Sequence, residues 1–223
     1  MEWVAEAVAG AAGALLGFWF PAVQHRCYRE PIFREDPARG ARLLALRAFT
    51  VPAGALVAAL AFRPGQPDAV ASWLTAAFSL LLIAVSSTDF DRRRIPNKLV
   101  YPGIIAAMVA APLWPDRSAL DIALGAAVAL VAAFALLTLG ALAGAAARSR
   151  ETAFGMGDAK LILLIGLLTG WPAVMSALVF GILLAGVVAA VLIVLRGRGS
   201  TYSYGPYLAA GAVIVLLWFE RFG

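Results

Sequence analysis

The chain has 223 residues, of which 62% are apolar and only 14% charged, and its formal net charge is +5. A soluble domain runs nearer half apolar and a quarter charged, so a soluble fold of this size could not hide so much apolar surface, and the bilayer has to be its solvent. One cysteine, Cys27, and one histidine, His25, exclude an internal disulfide and any zinc site built from several cysteines.

Hydrophobicity divides the chain into eight segments, at residues 3–23, 43–62, 70–88, 99–114, 119–143, 159–170, 173–195 and 206–219. The expected fold is all-α, a polytopic transmembrane helix bundle of about eight spans. Several segments are shorter than the roughly 20 residues that a straight span needs. The first begins beside Glu2 and Glu6, whereas a secretory signal wants a basic start, so it reads as a retained span. The sixth is the weakest, because only Gly170-Trp171-Pro172 separates it from the seventh, and the two could form one broken helix. Gly10, Gly13, Gly17, Gly181 and Gly186 lie within spans, where small residues let helices approach closely.

Basic residues give the expected orientation. With the N-terminus outside, the cytoplasmic loops hold Arg26, Arg29, Arg34, Arg39 and Arg42, then Arg92, Arg93, Arg94 and Lys98. The later cytoplasmic loops add Arg148, Arg150, Arg196 and Arg198, while the outer ones hold only Arg63, Arg117 and Arg221. That is the positive-inside pattern, with both termini outside a cell (cytoplasmic) membrane. The partner for the positive charge is anionic lipid at the cytoplasmic face; with no basic soluble domain, nucleic acid is not expected.

Ionisable groups at membrane depth are costly and need a reason. Most acids fall in loops, where solvated faces explain them. Two do not. Asp89 ends the third segment in Ser86-Ser87-Thr88-Asp89-Phe90-Asp91, and Asp158 opens the sixth in Gly155-Met156-Gly157-Asp158-Ala159-Lys160. Two crossings lie between them, so both belong to one side of the membrane. Two carboxyls brought within a few ångströms cannot both ionise cheaply, and they share one proton. Such a pair can activate a water and protonate a peptide without metal or cofactor. Taken alone, Asp158 could instead cap its helix. Asp91 is the rival to Asp89, but it should face another way and pair with the arginines that follow. Gly155 and Gly157 let a substrate backbone come close. Ile95-Pro96-Asn97 stops the third helix and turns the chain. Lys160 either tunes Asp158 or snorkels to the headgroups.

These motifs resemble the prepilin peptidase family, the type IV leader peptidases. The family shows an aspartate at a span end followed by a Leu/Ile-Pro-Asn/Asp turn, here Asp89 and Ile95-Pro96-Asn97. It shows a Gly-x-Gly-Asp motif followed by a lysine, here Gly155-Met156-Gly157-Asp158 and Lys160. Tyr204-Gly205-Pro206-Tyr207-Leu208-Ala209 is similar to its C-terminal Phe-Gly-Pro-Phe/Tyr-Leu-Ala segment. The resemblance runs from about Ser72 onward. It implies that Asp89 and Asp158 are catalytic, that Gly155, Gly157, Lys160, Pro96 and Asn97 support the site, and that no cofactor or metal is needed. It implies a membrane aspartic-type endopeptidase that removes a short basic leader from type IV pilin-like (prepilin or pseudopilin) precursors at the cytoplasmic face.

Residues 1–69 then form a two-span N-terminal unit with a short basic loop, and residues 70–223 form a six-span peptidase core. Many members also methylate the new N-terminus with S-adenosylmethionine, and carry a larger domain with Cys-x-x-Cys motifs after the first span. Here residues 24–42 stand in that place with one cysteine, so methyltransferase activity is not expected. Two other classes compete: a proton- or cation-coupled transporter, which predicts acids near the midplane, and a catalytically idle assembly factor on the same fold.

Overall fold

The computed structural model describes residues 2–27, 39–63, 68–146, 155–196 and 203–218. They form eight α-helices and no strand: α1 Glu2–Cys27, α2 Arg39–Ala61, α3 Ala69–Arg92, α4 Asn97–Ala110, α5 Ala119–Ala146, α6 Met156–Thr169, α7 Ala173–Arg196 and α8 Gly205–Leu217. A short 3-10 turn, Ala111–Leu113, extends α4. The expected all-α bundle is therefore what forms. Among the described residues, α1, α2, α3, α5 and α7 are long and apolar enough to cross a membrane. At 1.5 Å per residue, α4, α6 and α8 each reach only about 20 Å, short of a core of about 30 Å.

Two of the short helices, α6 and α8, belong to the interior, while α4 exposes Tyr101, Ile105, Met108 and Val109. Leu161, Ile162, Leu164, Ile165 and Leu168 of α6 are fully buried, as are Leu208 and Val215 of α8 to within 1%. α3 joins them: every residue from 82 to 89 is buried. Over its apolar stretch 67% is covered, against 11% for α1, 22% for α5 and 17% for α7. α1, α5 and α7 thus turn most of their apolar surface outward, to lipid, and α3, α6 and α8 form the centre. Three hydroxyls of the central helices are satisfied locally, whereas Ser79 Oγ, fully buried on α3, has no partner among the described residues. Ser86 donates to the Leu82 carbonyl (2.7 Å), Thr88 to Ala84 (2.8 Å) and Thr169 to Ile165 (2.8 Å). In a water-free interior an unpaired hydroxyl would be costly.

Close backbone approach joins the helices in pairs. A side chain on Gly13 would run into the Gly54 carbonyl, one on Gly17 into that of Thr50, and one on Gly181 into the Leu208 backbone. Gly125 and Gly166 meet each other in the same way across α5 and α6. Gly10 makes only ordinary contact with Ala59, and Gly186 faces nothing within 4 Å, so the packing role expected of Gly186 is not found. Gly166→Leu is expected to force α5 off α6 and to cost about 3 kcal/mol. A lowered thermal midpoint of the purified protein in detergent is the measurement.

The sixth and seventh segments are two helices and not one broken helix. α6 ends at Gly170, whose φ of +66° only glycine adopts readily, and Trp171 N–H donates to the Asp121 carbonyl at 2.8 Å. The Arg117 guanidinium closes the same end, donating to the Leu168 carbonyl and lying 3.9 Å from the Trp114 ring centre.

Candidate active site

α3 ends in a left-handed turn at Arg93 (φ 52°), whose N–H donates to the Asp89 carbonyl at 2.7 Å. The helix thus stops before Ile95-Pro96-Asn97, which was expected to stop it. Pro96, extended at φ −75° and ψ 120°, instead leads into α4. Its ring fits a helix start because no N–H is needed there. Asp89 sits one turn before the end of α3, only 4% exposed.

Asp158 is the third residue of α6, which begins at Met156, earlier than the apolar pattern suggested. Its Oδ2 accepts the Gly155 N–H at 3.0 Å, so Asp158 does cap its helix, from inside the first turn. That use of one oxygen does not remove it from the site: Asp158 is only partly buried, and its second oxygen is not used by the cap. Capping and pairing are compatible.

Ile95 shows how the pieces meet. A Cβ on Gly157 would lie 3.1 Å from Ile95 Cβ, and one on Gly205 would lie 3.2 Å from Ile95 Cδ1. The end of α3, the start of α6 and the start of α8 therefore converge on one side chain. Glycine at 157 and 205 is what lets them. From α8, the Gly205 N–H donates to Asp89 Oδ2 at 3.1 Å, and the Ser203 hydroxyl donates to the same oxygen.

Lys160 has partners that the sequence did not point to. Its ammonium donates to Asn97 Oδ1 at 3.0 Å and lies 4.8 Å from the Tyr101 ring centre, so it ties α6 to α4 beside the aspartates. Asn97 is otherwise exposed and Pro96 buried. Asp91 turns away from Asp89 and pairs with Arg92 Nε at 3.5 Å. Among the described residues no three of His, Cys, Asp and Glu converge as a metal ion would require.

Two contributors escaped the sequence reading. Ser203 is one. Gln24 of α1 is the other: it is 6% exposed and donates to the Ala84 carbonyl (2.8 Å) and to Ser87 Oγ, binding α1 to α3 in the turn before Asp89. Neither carries a local signal, since a lone polar residue at a helix end normally meets water.

A model of the type IV leader peptidase family matches residues 76–194, more than half of the chain. This chain belongs to the type IV leader peptidase family. Among its relatives is the prepilin leader peptidase/N-methyltransferase of Stutzerimonas stutzeri, 32% identical over 159 residues, which cover 67% of this chain and 52% of that one. Proteins of the same name from Pseudomonas aeruginosa and Aeromonas salmonicida are 27% identical over 155 residues and 28% over 171. These alignments cover 67% and 73% of this chain, and 52% and 54% of the relatives. The chain spans about half the length of the curated relatives it matches. No solved structure matches it. The stretch matched to the leader peptidase family contains both aspartates, the Pro96-Asn97 turn, the two glycines and Lys160, but ends before Ser203 and Gly205.

Proposed function

We propose that this chain is an aspartic-type endopeptidase that cuts the short basic leader from pilin-like precursors, with Asp89 and Asp158 as its catalytic pair. The reading is supported by the meeting of the helix ends that bear these carboxyls on Ile95 at one end of the bundle, with Asp89 enclosed and Asp158 partly open. In the reaction, the ionised member takes a proton from a water, whose oxygen attacks the scissile carbonyl carbon. The protonated member gives its proton to the carbonyl oxygen. As the C–N bond breaks, the first carboxyl passes its proton to the departing amine, the second regains one from the collapsing intermediate, and the pair is restored.

The site lies at a helix end rather than midway along a span. A precursor whose apolar helix sits in lipid would present the bond just outside that helix at this depth, already positioned. Arg92, Arg93, Arg94 and Lys98 lie at the same end, which supports a cytoplasmic site under the positive-inside rule. Trp73 and Trp171 lie exposed at the other end, where indoles suit a membrane interface. A basic leader would be drawn to the site by anionic lipid and not by this basic end. The position of the aspartates counts against a transporter, whose acids belong near the midplane. The methyltransferase in the relatives' name is not carried over, since residues 24–42 leave little room for the larger domain.

The test is cleavage of a co-expressed pilin-type precursor, read as a gel shift. Loss of processing on replacing either aspartate by asparagine is the supporting result, and normal processing by either variant ends this reading. Asp91→Asn is the control. Its carboxylate is engaged by Arg92, so processing at close to the wild-type level is expected.

A further inference from the structure

The two oxygens of Asp89 are treated differently. Both donors that reach the carboxyl, the Ser203 hydroxyl and the Gly205 amide, converge on Oδ2. No described group donates to Oδ1. Two donors on one oxygen fix rotation about the Cβ–Cγ bond and leave the other oxygen for a different partner. The carboxyl is enclosed, so bulk water cannot replace a missing donor.

The donors also differ from each other. The Gly205 amide belongs to the first turn of α8, and its direction is set by the helix. The Ser203 hydroxyl has a free choice of partner. A serine just before a helix usually bonds the open amides of the first turn. Here Tyr204 occupies the capping position and no side chain caps α8. Ser203 instead reaches across to α3, 114 residues away in sequence.

We propose that Ser203 is a positioning residue for the aspartate pair, its hydroxyl holding Asp89 Oδ2 so that Oδ1 is the oxygen presented to the shared proton or the attacking water. This rests on the peptidase reading above, and adds to it a residue outside the family match. The role requires a hydroxyl and not a particular size. It acts on the chemical step and not on capture of the precursor, since the hydroxyl is committed to Asp89.

The experiment measures kcat and KM for the purified 223-residue chain in lipid nanodiscs, with a pilin-type precursor as substrate. Ser203→Ala is expected to lower kcat by about tenfold to a hundredfold, as loss of a hydrogen bond to a charged group implies, with KM unchanged. Ser203→Thr keeps the hydroxyl and is expected to recover most of the rate. Wild-type kcat in Ser203→Ala overturns the proposal, as does an equal fall in both variants, or a change confined to KM. If Ser203→Ala fails to accumulate, Ser203→Thr decides alone: near-wild-type kcat supports the role, and a loss overturns it. Asp89→Asn, run alongside, separates the two readings. An active Asp89→Asn ends the peptidase assignment itself, whereas an inactive Asp89→Asn beside an unimpaired Ser203→Ala ends only the role of Ser203.

Discussion

Asp89→Asn and Asp158→Asn are each expected to lower cleavage at least about a thousandfold while the protein still accumulates in the membrane. Asparagine matches aspartate in size, and its amide oxygen can still accept the bonds from Ser203 and Gly205, or in Asp158→Asn the bond from Gly155. The surrounding helices therefore have little reason to move. What the amide lacks is the capacity to take up and return a proton at each half of the reaction. With one member replaced, the remaining carboxyl can be base or acid, but not both members of the exchange at once. Rates for the two single variants and the double variant decide it. Members of one catalytic unit fail together, so the double variant is expected to be no worse than the singles. A multiplied defect in the double variant would mean that the two aspartates act independently.

Gly205→Ala is expected to be almost as damaging, although it leaves both aspartates in place. A methyl on residue 205 would press on Asp89 Oδ2 and come within 3.1 Å of its Cγ and 3.2 Å of Ile95 Cδ1. The carboxyl has to turn or α8 has to back away, and either change breaks the bonds to Ser203 and Gly205. Displacing a catalytic group by about 1 Å can cost a hundredfold in rate, and a loss of that order is expected in kcat. Gly186→Ala is the matched control, since nothing lies within 4 Å of the added methyl, and it is expected to cleave as the wild type does. Full activity in Gly205→Ala would show that the carboxyl does not work in the position described.

The helices were legible because apolar runs broken by Gly, Pro and charge are a direct record of what is removed from water. That record is silent about which runs face lipid and which face protein. The sequence reading marked α6 and α8 by hydropathy alone, and that they lie in the interior of the bundle comes only from the structure. Boundaries moved wherever a backbone device and not composition set them. α3 ends on the left-handed turn of Arg93, a residue with no reputation for such turns, and α6 starts at Met156 because Asp158 reaches back to Gly155.

The two aspartates stood out because a carboxyl at a span end is expensive anywhere else. Asp91 was separable by its arginine neighbours. The partners of Lys160, Asn97 and Tyr101, were not legible because they lie about 60 residues away on α4. Ser203 and Gln24 were invisible for the same reason. Their importance comes from a contact between distant parts of the chain, and nothing local marks it.

The position of α8 has a consequence for timing. Asp89 is made 116 residues before the amide that holds it, and Asp158 also precedes that amide. A nascent chain entering the bilayer therefore carries both carboxyls for much of its synthesis without the groups that orient the first of them. On the proposed reading, cleavage by the pair waits for α8 to arrive, and a chain inserted only as far as α7 is not expected to cut the peptides around it.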